Sequence, residues 1–477
     1  MFDFEILNKL AEEKTTEIAF ADEDKIFTFG QLNLLTRKIA YVLDAAGIKS
    51  GDLVCISFPS YLEWSASIAL HLLGVTIMPK VGVNPFSPEI YPDWYLSFEI
   101  DSRFPSEKTI LFTEDFLAKI AKSDELTIFT GYKDESQPAR LFATSGTTGV
   151  TKFTAVTSQG LHEIAMRGGT HDFVGRDPLL SLFPLWMGSS YGRALKALLE
   201  GKTYFSCGFT DHRLPKLLRN YPIQTLLGSP VQISNFLEQQ LQTGSKLPNL
   251  KYLILSGSTP TQQILDRINE QLDCQIINGY GSTEAGNVSL NLDANSMESG
   301  LTINPAVTLQ IVDEKDKPLP SNSIGRIRYR RPGMSTSYYK NPEATSEFFK
   351  EGFFYPGDLG QVDDYGHLFL EGRVNELINL GGVKVNPEKI DDVVKAQLGV
   401  IDCAAFAVTM PSGIEELAMA VVAGKGFNID ILKKTLMAKS PWVPRFIVPT
   451  SIIPRNEGGK VLRLKLQEEF LENNKLS

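Results

Sequence analysis

The residues best equipped for chemistry gather in one short stretch, LFATSGTTGVTKF, residues 141–153. Closely spaced glycines let a backbone approach a ligand, and successive N–H groups can then form a nest for an anion. The hydroxyls of Thr144, Ser145, Thr147 and Thr148 add donors around Gly146, and Lys152 adds a mobile positive charge. Such a set suits the polyphosphate of ATP; a polar turn between two strands is the alternative. The spacing Gly146-x2-Gly149-x2-Lys152, with Phe153 next, is not the Gly-x4-Gly-Lys-Ser/Thr of a Walker A loop, which speaks against a P-loop ATPase or kinase. Lys460, directly after Gly458 and Gly459, sits on a second loop able to come close to a ligand. The four cysteines (Cys55, Cys207, Cys274, Cys403) and five histidines are scattered, with no CxxC or Cys/His ligand spacing. That argues against a zinc site or a disulfide frame and fits a reducing compartment, so a cytoplasmic protein is expected.

The elements that must position these loops follow from periodicity. LVCISF (53–58) is an apolar run bounded by Gly51-Asp52 and Pro59, which predicts a buried strand, and WSASIALHLLG (64–74) continues with helical spacing. QTLLGS (224–229), KYLILSG (251–257) and CQIINGYG (274–281) read as further strands, with helices over 231–242 and 261–272 between them. This alternation predicts a parallel, doubly wound α/β sheet. After about residue 300 the pattern changes to short antiparallel strands, and the strand YGHLFLEGR (365–373) leads into a smaller α+β arrangement. A boundary is therefore expected near Arg373–Asn375, giving domains 1–372 and 373–477.

The 477 residues exceed what a single core usually organises, in keeping with two domains. The net charge of -9 leaves no basic excess for general nucleic-acid binding. Residues 373–477 carry 14 Lys/Arg against 12 Asp/Glu, while the remainder carries 33 against 44. A weakly positive small domain facing an acidic large one suits closure over a polyanion; ordinary surface variation is the alternative. The N-terminus MFDFEILNKLAEEK reads as the start of an amphipathic helix rather than a signal peptide, and no apolar run is long enough for a membrane span.

TSGTTGVTK (144–152) resembles the phosphate loop of the adenylate-forming superfamily, which includes acyl-CoA synthetases, aryl-acid ligases, luciferase-like enzymes and peptide-synthetase adenylation domains. The resemblance extends over nearly the whole chain. FTFGQLNLLTRKIAYVLDAAGIKSGDLVCISFPS (27–60) resembles the family's first helix–strand unit, and NGYGSTEAG (278–286) its nucleotide-pocket motif. FFYPGDLG (353–360) and EGRVNELINLGGVKVNPEKID (371–391) resemble the ribose and hinge motifs, and PRNEGGKVLR (454–463) the C-terminal lysine loop. The resemblance implies a large N-terminal domain of doubly wound sheets with a small β-barrel-like part, and a small mobile C-terminal domain. It implies that a carboxylic acid and ATP form an acyl- or aryl-adenylate with release of pyrophosphate, followed by transfer to a thiol, with CoA or a phosphopantetheine arm as acceptor.

Site roles follow by the same resemblance. Tyr280 would stack on adenine, with Gly281, Ser258 and Thr259 lining that pocket. Thr283 would bond the α-phosphate and Glu284 would ligate Mg2+, a hard cation that prefers carboxylate and phosphate oxygens. Asp358, acceptor-only when ionised, would take the ribose hydroxyls, and the Arg373 fork suits ribose and phosphate oxygens. Lys460 would bridge the substrate carboxylate and the α-phosphate. No general base is required, because a carboxylate is already a nucleophile at neutral pH. Trp186, Met187, Tyr191 and Gly279 are the expected acyl or aryl pocket, with core packing the alternative for the first three. Asn375 marks the hinge, and Lys384 could touch an acceptor's phosphate once the small domain has turned.

The chain also departs from the family pattern. Thr151 and Phe153 stand where Pro and Gly usually flank the loop lysine, and Ser158 and Met187 stand where His is common. Asn375 replaces the usual Asp or Lys of the hinge. These departures imply an unusual substrate or acceptor, or reduced activity. Three readings compete: a ligase using CoA, a stand-alone enzyme loading a carrier protein, and an adenylate-binding protein without activity.

Overall fold

The computed structural model describes the chain except residues 1–2, 23–24, 82–88, 145–150, 168–177, 208–213, 244–246, 297–298, 381–382, 411–413, 441, 457–458 and 475–477, and describes only the backbone of 167, 242, 243, 439 and 474. Ser145, Gly146, Thr147 and Thr148 of the expected phosphate loop thus lie outside the described residues.

A six-stranded sheet is built from Thr109–Leu111, Trp94–Ser97, Leu53–Ser57, Thr76–Pro79, Pro138–Thr144 and Lys152–Thr157, in that spatial order. Its strands are parallel except for the final antiparallel pair, Pro138–Thr144 with Lys152–Thr157, which flanks the Ser/Thr/Gly loop. The apolar run of Leu53–Ser57 is explained by burial on both faces. Val54 and Ile56 pack with the helices Phe29–Ala45 and Ser60–Leu72, while Leu53 and Cys55 pack with Met78, Tyr95 and Phe153 on the opposite face. Phe29–Ala45 starts from a capping box in which Thr28 and Gln31 satisfy each other's backbone N–H groups.

Ser60–Leu72 is buried around nearly its whole circumference because it is covered on both sides. Leu62, Ala69 and Leu70 face the six-stranded sheet; Trp64, Ile68 and Leu72 face the second core, beside Phe20, Leu195 and Tyr204. A polar cluster lies in this seam. Arg140 is fully buried, its Nη2 lies 2.8 Å from Glu63 Oε1, and its guanidinium rests 3.8 Å from the Tyr191 ring centroid. Tyr191 in turn bonds His71 Nε2 at 2.7 Å, and Phe4 of the N-terminal segment stacks on the same imidazole.

The second sheet runs parallel through Ile18–Ala21, Tyr204–Ser206, Leu179–Ser181, Thr225–Gly228, Tyr252–Leu255 and Gln275–Ser282. There it turns antiparallel and continues through Gly286–Asn291, Leu301–Ile303, His367–Arg373, Asp358–Val362 and Gly325–Arg330. The antiparallel part expected to be barrel-like is therefore hydrogen-bonded to the parallel part as one 15-stranded sheet among the described residues. Its own core sets Tyr329, Tyr338 and Phe354 among aliphatic side chains such as Val288, Ile311 and Ile327.

The large sheet's last contribution in sequence ends at Arg373. A single 3-10 turn, Val374–Glu376, leads into the hairpin Ile378–Leu380 and Val383–Val385, then a three-stranded sheet of Val400–Thr409, Glu415–Ala423 and Phe446–Pro449. Two hydrophobic clusters here draw only on residues after 377, as an independent domain would. Among the described residues no helix is long and apolar enough to cross a membrane.

Candidate active site

The parallel strands of the second sheet end side by side, and their carboxyl ends carry most of the expected site, the place where open α/β sheets bind ligands. Gln275–Ser282 delivers Tyr280, then turns through Thr283 and Glu284 into Gly286–Asn291. The turn depends on glycine: a Cβ on Gly281 would lie 2.2 Å from the Gly286 carbonyl oxygen, and Gly286 itself has φ +71°. Arg331 Nη1 donates to the carbonyls of Ala285, at 3.3 Å, and Asn287, at 2.8 Å, and so ties the hairpin from outside. Thr283 is exposed at its tip. Ser258 and Thr259, after Tyr252–Leu255, occupy the neighbouring strand end, with Ser258 half-buried and Thr259 exposed.

Glu284 is buried, and its Oε1 accepts a 2.7 Å hydrogen bond from the Tyr338 hydroxyl. Burial raises its proton affinity against the pull of that bond. A carboxylate held this way gains from a cation nearby, so the donor chemistry fits Mg2+. No group of three or more His, Cys, Asp or Glu able to hold a metal occurs among the described residues, so such an ion would depend on phosphate oxygens for further ligands.

Asp358 and Arg373 face each other across adjacent strands. Arg373 Nε lies 3.0 Å from Asp358 Oδ1, and the Tyr280 hydroxyl donates to Asp358 Oδ2 at 2.6 Å. Each carboxylate oxygen keeps a further lone pair for a ligand. On the other side of the hairpin, Lys152 is nearly buried, with its ammonium 3.9 Å from the Phe348 ring centroid and 5.6 Å from that of Tyr338. Desolvation lowers its proton affinity, while Glu347 and Glu284 oppose that.

Lys460 enters from the small domain. Gly459, with φ +82°, lies so close to the large domain that a Cβ there would sit 2.7 Å from Ser229 Oγ, at the end of Thr225–Gly228. The Lys460 backbone N–H donates to Asn456 Oδ1 at 2.9 Å, fixing the loop. The buried ammonium lies 2.6 Å from Glu376 Oε1. Burial lowers its proton affinity, as does Arg373; Glu376 and Asp358 act the other way.

The structure thus brings Tyr280, Asp358, Arg373 and Lys460 together and sets Thr283, Glu284 and Lys152 beside them. The expected acyl pocket divides. Trp186 is half-buried and packs near Leu141 and Phe153, Met187 packs on Phe183, Leu227 and Ile254, and Gly279 faces Leu290. Tyr191 is fully buried between Arg140 and His71, so its place is the core and it lines no open surface. Asn375 and Lys384 are both exposed. Sequence reading gave no role to Tyr338, Phe348 or Glu376. Glu376 lies inside the hinge motif, but its partner is 84 residues further on, so no local spacing marks it.

The sequence signature described as AMP-binding enzyme matches residues 100–339, half of the chain. Among characterised proteins, the chain is 26% identical to the long-chain-fatty-acid–CoA ligase FadD13 of Mycobacterium tuberculosis, over 94% of each. It is 24% identical to the fatty acid–[acyl-carrier-protein] ligase ScoC of Streptomyces coeruleorubidus, over 96% of this chain and 95% of that one. Its fold is similar to that of O-succinylbenzoate coenzyme A synthetase (MenE) from Bacillus subtilis solved with AMP, at a TM-score of 0.82 and 20% identity, covering 97% and 98% of the two chains. With a signature spanning half its length and relatives aligned end to end, the chain belongs to the AMP-binding enzyme family.

Proposed function

We propose that this protein is an AMP-forming acid–thiol ligase: it joins a carboxylic acid to ATP as an acyl-adenylate and then passes the acyl group to a thiol, with CoA as the acceptor. The observation that carries this reading is the Lys460 ammonium, paired with the Glu376 carboxylate at 2.6 Å, left with donors to spare, and delivered to the Asp358–Arg373 end of the large sheet. A buried cation with unused donors is expensive unless anionic oxygens complete its shell.

In the first half-reaction a substrate carboxylate oxygen attacks the α-phosphorus, and the bond to the β-phosphate oxygen breaks as pyrophosphate leaves. Two anions must meet, and negative charge spreads over the phosphoryl oxygens. Lys460 holds both anions and offsets that charge, Thr283 donates to the α-phosphate, and Lys152 serves the leaving phosphates. Tyr280 and Asp358 place the nucleoside, aided by Arg373. Magnesium, when held by Glu284, would neutralise phosphate charge; MenE has been solved with ATP and magnesium. In the second half-reaction the thiol sulfur attacks the acyl carbon and AMP departs. A turn of residues 373–477 about Asn375 would remove Lys460 and bring Lys384 to the acceptor.

The test is ATP–pyrophosphate exchange across a panel of fatty, aryl and amino acids. Exchange with at least one acid is expected, and none with any class would sink the reading. Lys460→Ala should lose exchange by roughly a hundredfold or more, as for loss of a group that stabilises transition-state charge, yet still convert a supplied acyl-adenylate to thioester. Adding CoA alone decides the acceptor. Thioester forms if CoA is used, whereas a requirement for a phosphopantetheinylated carrier protein would align the chain with its carrier-protein-loading relative.

A further inference from the structure

Between the catalytic lysine and the hinge lies a contact that the reaction as drawn does not use. Glu376 closes the 3-10 turn Val374–Glu376, one residue beyond Asn375. Its Oε1 lies 2.6 Å from Lys460 Nζ and its Oε2 3.3 Å from Arg463 Nε. Arg463 is anchored independently: Nη2 reaches Asp391 Oδ2 at 2.8 Å, and Nη1 donates to the Ala405 carbonyl. Glu376 therefore cannot swing away from Lys460 without also leaving Arg463.

We infer that Glu376 is a positioning residue for adenylation, holding the Lys460 ammonium protonated and aimed at the Asp358–Arg373 end of the large sheet. The inference rests on the role proposed above for Lys460.

The electrostatic need is specific. Lys460 is desolvated and faces the Arg373 guanidinium at the end of the large sheet, and both effects favour loss of its proton. Glu376 and Asp358 supply the opposing field. Of these two, Asp358 already serves Tyr280 and Arg373. Glu376 stays ionised in spite of burial because Lys460, Arg463 and Arg373 surround it. Glu388, whose own proton affinity is raised by burial, faces the same group and is opposed by Arg463 and Lys460. A neutral lysine would keep two N–H donors but lose the charge that offsets the phosphate and carboxylate anions. Glu376, Lys460, Arg463 and Asp391 all follow the hinge and would turn as one body, so the lysine would return to each cycle still paired.

Glu376→Gln tests this, since Arg463 retains Asp391 and the small domain should keep its fold. Two readouts are taken: pyrophosphate exchange against pH, with whichever panel acid supports exchange in the parent protein, and pH-dependent trace acetylation of Lys460 by acetic anhydride in the ligand-free protein, followed by mass spectrometry. The alkaline limb of exchange should move to lower pH by about one unit, and Lys460 labelling at pH 8 should rise by up to roughly tenfold, as a one-unit shift dictates. Thioester formation from a supplied acyl-adenylate should stay within about twofold of the parent. Glu376→Asp, which keeps the charge, should restore most of the profile.

An unchanged profile with unchanged labelling overturns the inference. So does faster exchange in Glu376→Gln, which would make the pair a restraint, or an equal loss in both half-reactions, which would make it merely structural. If Lys460→Ala itself keeps exchange, the role of the lysine falls and this inference with it. If Lys460→Ala loses exchange while Glu376→Gln changes nothing, the inference falls alone.

Discussion

The candidate site is built from cations held against partners that a ligand must share or replace. Lys152 rests on the Phe348 ring at 3.9 Å with little water access, so ring and ammonium attract through the ring's negative face. Removing the ring but keeping the bulk isolates that term. Phe348→Leu should raise KM for ATP about fivefold, equivalent to about 1 kcal/mol, with kcat little changed. Phe348→Tyr should stay near the parent. Steady-state kinetics of both variants checks this, and equal effects would make the contact simple packing.

At the scale of elements, the hairpin from Gln275–Ser282 into Gly286–Asn291 places an exposed threonine beside a buried carboxylate, and it does so through one close backbone approach. Gly281→Ala would drive a methyl to 2.2 Å from the Gly286 carbonyl, a backbone atom that cannot move without opening the turn. It should cost roughly 2 kcal/mol or more, in the range of overpacking, and displace Thr283 and Glu284 together. Gly279→Ala meets the Leu290 Cδ2 methyl at 3.3 Å, which can rotate aside, and otherwise only ordinary contacts with Asn287 Nδ2 and the Leu255 carbonyl oxygen at 3.8 Å. That variant should keep stability and change which acids support exchange. Thermal unfolding with the exchange panel separates the two outcomes.

Across the whole molecule, the contact of Gly459 with Ser229 brings the small domain's lysine to the large domain's strand ends, an arrangement suited to the first half-reaction. In the function proposed above the second would require the small domain to turn, and the chain crosses between the two parts through the short turn after Arg373. Asn375→Pro would fix φ at that exposed position and restrict Val374 before it. Pyrophosphate exchange should persist within a fewfold while thioester formation falls by a large factor. Equal loss in both half-reactions would place the pivot elsewhere.

Much of the fold was legible in the residues because parallel strands buried on both faces must be apolar throughout and the helices between them must repeat every 3.6 residues, as in Leu53–Ser57 and Ser60–Leu72. The candidate site was legible as short motifs because the phosphate and ribose contacts proposed for it would draw on glycine, hydroxyl and carboxylate at close spacing. Tyr191 escaped that logic, since an aromatic beside a motif can face a pocket or a core, and only the buried Arg140 and His71 decide which. Glu376 escaped it as well, because an ion pair spanning 84 residues leaves no periodic mark. The sequence by itself determined the alternating sheets, the ordered motifs and the lysine that ends them. Tertiary structure alone decided which charges surround that lysine, because the field at a buried group is summed over neighbours in space and not along the chain.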